Sequence, residues 1–254
     1  MLFGRTPWSD RKYFLDKMTL RDLVWAYVTY PAIQAYALFS IAGIVLAAYW
    51  GAHPLAMIGA VAATALVYPV VWYLLHRFVL HGRLLYKYPQ TAALWKRIHF
   101  DHHQDPHDLG VLFGALYTTL PTILAVAVPI GWLIGGPGTA AAAAATGVII
   151  TCFYEFCHCI QHLPFKPKTA FLRRIKRHHL AHHFHSEHGN FGITNFFWDR
   201  VFNTFYADAK QVPRSQTVFN LGYTGPETAR FPWVALLSGL AADGSTVPRR
   251  SRSE

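Results

Sequence analysis

Residues 23–76 read LVWAYVTYPAIQAYALFSIAGIVLAAYWGAHPLAMIGAVAATALVYPVVWYLLH, 54 residues without one Asp, Glu, Lys or Arg. As helix, at about 1.5 Å per residue, such a run extends roughly 80 Å. The hydrocarbon core of a bilayer is about 30 Å thick. The run is too long for one crossing and right for two. It is broken at Gly51-Ala52-His53-Pro54, and Gly and Pro punctuate helices. The reading is a helical hairpin with spans at 32–50 and 55–75.

A second run, Leu109–Tyr154, has 46 uncharged residues and a break at Gly135-Gly136-Pro137-Gly138. It reads as a second hairpin, with spans at 111–134 and 139–160. Pro121 and Pro129 are expected to kink the first of these. The alanine run at 140–145 sits inside a span, where alanine favours helix. A large soluble helical domain is the alternative, and a soluble core has no need of uncharged runs this long. The fold class expected is all-α: an integral-membrane four-helix bundle of two hairpins with a cytoplasmic helical cap, one domain over residues 1–254.

Charge orients the bundle. The chain has 254 residues, with 23 Lys and Arg against 13 Asp and Glu, a net charge of +10. Only 14% of residues are charged, against about 25% in a soluble domain. Every Lys and Arg lies in residues 1–22, in the loop 77–108, or beyond residue 160. Cytoplasmic loops are enriched in these residues, so both termini and the central loop are expected on the cytoplasmic side. The basic excess suits anionic headgroups. It follows the membrane topology rather than a stripe, so no nucleic-acid partner is expected. Residues 1–22 lack the apolar core of a signal peptide and read as cytoplasmic or interfacial. Residues 161–240 form the cap. Within it, Phe231–Ala241 is too short to span and is expected to pack on the cap or lie at the interface. Residues 241–254 are expected to be a disordered tail. Cys152, Cys157 and Cys159, the only cysteines, share one span and make no disulfide framework.

The chain has fifteen histidines, of which only His53 falls in a far-side turn. Ten fall into four patterns: His76 and His81 (HxxxxH), His99, His102 and His103 (HxxHH), His158 and His162 (HxxxH), and His179, His182 and His183 (HxxHH). Positions i, i+3 and i+4 share a helical face, so each HxxHH is expected to aim three imidazoles one way. HxxxxH separates its pair by about 140° on a regular helix, so His76 and His81 either serve different metals or mark a fraying helix end. Ten neutral imidazoles exceed one ion and suit two with five ligands each. Imidazole favours Fe, Zn, Cu and Ni; Mg and Ca want carboxylates; structural zinc usually takes four ligands; and the HExxH protease signature is absent. Two iron ions, with zinc as a substitute and room for O2, are the reading.

Several stretches then carry a resemblance. HRFVLH at 76–81, YEFCHCIQH at 154–162 and RHHLAHHFHSEHGNFGITNFFWDRVFNTF at 177–205 resemble the boxes of the fatty acid hydroxylase superfamily, also called the sterol desaturase family, and within it the fatty acid 2-hydroxylases. The resemblance covers roughly residues 65–206. It implies a membrane-bound, non-haem di-iron monooxygenase that uses O2 to hydroxylate a lipid acyl chain next to its carbonyl. It implies a lipid substrate in the membrane. The eukaryotic 2-hydroxylases often carry a cytochrome b5-type domain; with about twenty residues before the first span here, a separate donor of cytochrome b5 or ferredoxin type is expected. A bacterial inner membrane is favoured over the endoplasmic reticulum. The box spacings are shared by sterol C-4 methyl oxidases, sterol desaturases, sphingoid-base hydroxylases and carotenoid hydroxylases, which stay open as alternatives. A histidine-rich metal transporter is the remote one, since a transporter places ligands near the bilayer midplane.

Other residues are candidates to hydrogen-bond a ligand histidine, as metal-bound imidazoles usually require. They are Glu155, the one acidic residue of its span, with a salt bridge to Arg as the alternative; Asp101, with a water-facing position as the alternative; Asp199, with fixing the tail against the core as the alternative; and His185. His107, His178 and His188 are expected at the surface. Cys157 and Cys159 are expected to pack.

Overall fold

The computed structural model describes residues 12–241, 244 and 247–249. The element order is α1 (Leu20–Val28), α2 (Pro31–Trp50), α3 (Pro54–Leu74) continuing as a π-helical turn (Leu75–Leu80), α4 (Pro89–Trp95), a second π turn (Lys96–Phe100), α5 (Asp101–Gln104), α6 (Leu109–Leu112), α7 (Leu116–Gly135), α8 (Pro137–His162), α9 (Ala170–Phe184), α10 (Phe197–Val201), α11 (Gly225–Arg230) and α12 (Trp233–Leu237). Among the described residues there is no strand, only an isolated bridge between Phe14 and Asp108.

Among the described residues, four helices are long and apolar enough to cross a membrane: Pro31–Trp50, Pro54–Leu80, Leu109–Gly135 and Pro137–His162. The chain is a membrane protein, all-helical as expected. Gly51 and Gly136 end α2 and α7 with φ of 62° and 83°, a left-handed conformation that glycine adopts without steric cost. The second span outruns its expected end at residue 75 because α3 passes into the π turn instead of stopping at the first polar residues.

The described chain separates into two compact units. The first comprises Arg21–Val71 and Gly114–Cys157. Its helices meet through small residues: Ala47 with Ala141 and Ala142, and Ala60 with Ala127 and Ala143. A Cβ on Gly138 would lie 2.0 Å from the Gly51 carbonyl oxygen, so the two hairpin turns meet at bare backbone. Small residues allow such approach in membrane bundles. Leu38, Ile41, Ile44, Val45, Leu66 and Leu133 are exposed, an outward apolar surface suited to lipid rather than water.

The second unit comprises Lys12–Leu20, Trp72–Phe113 and the chain from His158 onward. Its aromatic core joins Tyr86, Trp95, Phe100 and Tyr223 to Val234 and Ala235. Tyr86 and Trp95 meet edge to face at 4.8 Å, and Trp95 Nε1 donates to the Leu80 carbonyl at 2.7 Å. The apolar segment at 231–241 thus packs on the cap, through α12, although Leu236 and Leu237 are exposed. The expectation of a disordered tail is corrected for two residues. Val247 is buried in the same core, and Arg249 donates from Nε to the Gln104 carbonyl at 3.3 Å and stacks at 4.1 Å on Phe219. Burial of a single apolar side chain and a cation–π contact hold this piece, which composition alone marks as polar. Residues 242, 243, 245, 246 and 250–254 of the tail, and residues 1–11, lie outside the described residues.

Candidate metal centre

All ten patterned histidines lie in the second unit, and they gather into two groups of five. His76, His81, His99, His103 and His182 form one; His102, His158, His162, His179 and His183 form the other. Within each group the nearest ring nitrogens lie within 4.8 Å of one another. All are buried except His81, which is half-buried.

The geometry departs from the expected facing in two ways. His76 and His81 serve one group, with their Nε2 atoms 3.2 Å apart. The π turn is the reason: His81 N donates to His76 O at 3.0 Å, an i→i+5 bond that returns the fifth residue to the same face. Each HxxHH, in contrast, divides between the groups. His99 and His103 join the first while His102 joins the second; His182 joins the first while His179 and His183 join the second. Adjacent residues diverge by about 100° on a helix, so one helix feeds both groups.

The donor chemistry fits a cation in each group. His81 Nε2 lies 3.2 Å from His76 Nε2 and 2.9 Å from His99 Nε2. His102 Nε2 meets His158 Nε2 at 3.0 Å, and His162 Nε2 meets His179 Nε2 at 2.9 Å. His103 Nε2, His182 Nε2 and both nitrogens of His183 are buried without a hydrogen-bond partner. An unsatisfied buried polar group costs about 1–3 kcal/mol, and a cation facing converging lone pairs removes that cost. Burial drives the pKa of His81, His99, His102, His179, His182 and His183 well below the ordinary value, and neighbouring imidazoles add to it. Burial holds His103 at about 3, with the Val218 carbonyl opposing. The rings are therefore neutral, the form that binds metal.

Backbone carbonyls fix three rings of the first group. Nδ1 of His76 donates to Phe191 O at 2.6 Å, Nδ1 of His103 to Val218 O at 2.9 Å, and Nδ1 of His182 to Gly189 O at 2.7 Å. A carbonyl only accepts, so each Nδ1 carries the proton and each Nε2 keeps its lone pair. These carbonyls belong to no side chain, and the residue pattern gives no sign of them.

Asp199 stands directly behind them. Fully buried, it accepts from Phe191 N at 2.7 Å, Gly192 N at 2.9 Å and Thr204 Oγ1 at 2.9 Å. It fixes the turn that carries the His76 acceptor. Burial raises its pKa while these donors oppose the shift. Asn190, with φ 55°, pairs both side-chain atoms with the Tyr206 backbone.

The other candidates fall elsewhere. Asp101 pairs with Lys96 Nζ at 2.6 Å. Glu155 belongs to the first unit and accepts from Gly114 N at 3.1 Å. His185 bonds the Val212 carbonyl at 2.9 Å. Of the histidines expected at the surface, His188 is exposed, His107 is half-buried, and His178 is buried. His178 lies against Phe196 and Phe205, with ring centroids 4.9 and 5.0 Å away, because its face of α9 turns inward. Cys157 and Cys159 are buried.

Comparison with known proteins agrees with this architecture. The fatty acid hydroxylase family model matches residues 61–204. The chain is 30% identical over 153 residues to dihydroceramide fatty acyl 2-hydroxylase FAH2 of Arabidopsis thaliana, covering 57% of this chain and 59% of the relative. It is 29% identical over 153 residues to fatty acid 2-hydroxylase of Rattus norvegicus, covering 55% and 37%. The chain thus spans little more than half of the plant relative and about a third of the rat one. The solved structure of full-length scs7p, with only its hydroxylase domain visible, aligns with a TM-score of 0.58 at 25% identity, covering 73% of this chain and 68% of that one. With more than half of its length matched by the family model and its fold shared with that hydroxylase domain, this chain belongs to the fatty acid hydroxylase family.

Proposed function

We propose that the chain is an O2-dependent, non-haem di-iron hydroxylase of membrane lipids, acting on the acyl carbon next to the carbonyl. The pair of five-imidazole groups carries the reading. The relatives' names, which specify fatty acyl 2-hydroxylation, supply the position of attack. In this reading His76, His81, His99, His103 and His182 hold one iron, and His102, His158, His162, His179 and His183 hold the other. Zinc fits the same nitrogens but has no redox chemistry. When bound, a redox-active pair supplies the activation of O2 that an unactivated C–H bond requires.

The chain's own residues do the rest. The carbonyls of Gly189, Phe191 and Val218 hold three imidazoles in the ligating tautomer. Asp199 holds the turn behind His76. The five buried rings of the second group are closed off from solvent, while His81 leaves the first group partly open. Two electrons per turnover come from a separate donor of cytochrome b5 or ferredoxin type, because histidine ligands supply none. By the charge pattern, both termini and the site face the cytoplasm.

Expression with whole-lipid mass spectrometry tests the reading, against His182→Ala and His162→Ala. The expected result is an acyl chain gaining one oxygen beside its carbonyl, lost in both variants, with iron in the purified wild type. Oxygen appearing in a sterol or carotenoid pool instead overturns the substrate. Purified protein without a redox-active metal after growth in iron-replete medium overturns the enzyme.

A further inference from the structure

The hydroxylation R–H + O2 + 2 e− + 2 H+ → R–OH + H2O consumes protons that neutral imidazole ligands do not supply. Near the first histidine group a cavity of about 280 Å³ is lined by Arg77, His81, Glu187, His188 and Phe191 among others. A water occupies about 30 Å³ in the liquid, so the cavity has room for several. His81 is the one member of its group that is not fully buried, and it is the member that lines the cavity.

Glu187 has no part in the metal site as described. Its side chain is 2% exposed, while the adjacent His188 side chain is 73% exposed, with Nε2 3.4 Å from Glu187 Oε1. Oε1 also accepts from Ser215 Oγ at 2.9 Å and from Thr217 Oγ1. Oε2 is buried and has no hydrogen-bond partner. A buried polar atom left unpaired calls for an explanation, and Glu187 is among the residues that line the cavity. Arg77, the cavity's cation, is engaged elsewhere: its guanidinium donates to Tyr73 Oη at 2.9 Å and lies 4.9 Å from the Phe78 ring.

We propose that His188 and Glu187 form the proton inlet of the first histidine group. The inference rests on the hydroxylase reading. His188 takes a proton from solvent on its ring nitrogen. The N–H bond breaks as an O–H bond forms on Glu187. Glu187 then releases the proton to cavity water beside His81 and is protonated again from His188. O2 is the oxidant, and the electrons come from the separate carrier protein, so the inlet moves protons only.

The test uses iron-loaded wild type, Glu187→Gln and His188→Gln. Chemically reduced protein is mixed with O2 in a stopped-flow instrument without lipid, and iron per chain is measured on the same samples. Glu187→Gln is expected to keep its iron, to reoxidise at least tenfold more slowly, and to lower kcat with KM unchanged. His188→Gln is expected to show a smaller loss that added free imidazole restores, a rescue that a merely structural role would not show. High-resolution density of the metal-free protein is expected to hold ordered water between Glu187 and His81. Reoxidation of Glu187→Gln at the wild-type rate overturns the proposal. So does a rise in KM alone, which would make the cavity a site for the lipid's polar head; loss of iron in step with rate; or a cavity filled by lipid. If wild type reoxidises yet hydroxylates no lipid, the substrate reading fails while the reoxidation rates still decide the inlet.

Discussion

Nδ1 of His76 donates to the carbonyl oxygen of Phe191, 115 positions along the chain, at 2.6 Å. The acceptor is itself held, since Asp199 accepts from Phe191 N and Gly192 N. Substituting Asp199→Asn replaces one acceptor oxygen with a donor facing a donor. Partners behind a metal-bound histidine are worth roughly 10- to 100-fold in affinity, and a broken buried hydrogen bond costs about 1–3 kcal/mol. Metal titration and thermal unfolding of the variant should show losses of that order. Unchanged metal affinity would mean that the turn does not orient His76.

The same turn leaves no room for a side chain. A Cβ on Gly192 would lie 1.9 Å from Asn195 O and 2.9 Å from Asp199 Oδ2. Gly59 meets nothing closer than 3.8 Å. Gly192→Ala is expected to lower both folded yield and metal content, while Gly59→Ala matches wild type in both. Equal behaviour of the two variants would refute the turn's rigidity.

The division of each HxxHH has a stoichiometric consequence. His103→Ala removes a ligand from the first group and His179→Ala from the second. Each single variant should retain one bound ion of the pair by elemental analysis, and the double variant should retain neither. A single variant that loses both ions would show that the groups load only together.

Metal-free protein should weaken in acid. The unfolded-state pKa of histidine is about 6.5, and that of folded His103 is about 3. Between these values the unfolded chain holds a proton that the folded chain excludes, so stability is full above pH 6.5 and declines as pH falls toward 3. Each such group contributes a slope of about 1.4 kcal/mol per pH unit. Thermal unfolding in detergent from pH 7.5 down to 4.5 measures it, and a flat profile contradicts the buried neutral state.

The four spans were legible because long uncharged runs and Gly-Pro breaks are one-dimensional signals, and the spans need only length. The ten histidines were legible for a similar reason, as rare residues at helical spacings. Their distribution was not. Dividing His102 from His103 depends on angular phase, and joining His76 to His81 depends on a π turn that no local propensity announces. His178 shares α9 with His179, His182 and His183 and turns to Phe196 and Phe205 instead. The anchoring carbonyls of Gly189, Phe191 and Val218 are backbone groups common to every residue, so only tertiary placement distinguishes them. Glu187 sat in plain view within HFHSEHG, but its burial comes from Ser215 and Thr217, about thirty positions later.

The π turn at Leu75–Leu80 also changes what a spacing means. An i→i+5 turn is an α-helical turn that has absorbed one extra residue. HxxxxH there and HxxxH at His158–His162 are thus two spellings of one geometric word, a pair of imidazoles on one side of a helix end. Removing one residue between His76 and His81 would turn the first spelling into the second and leave both rings on one face. The chain downstream of His81 would keep its direction, because both turns return to the same face. The metal therefore constrains the face that the two rings share, not the number of residues between them.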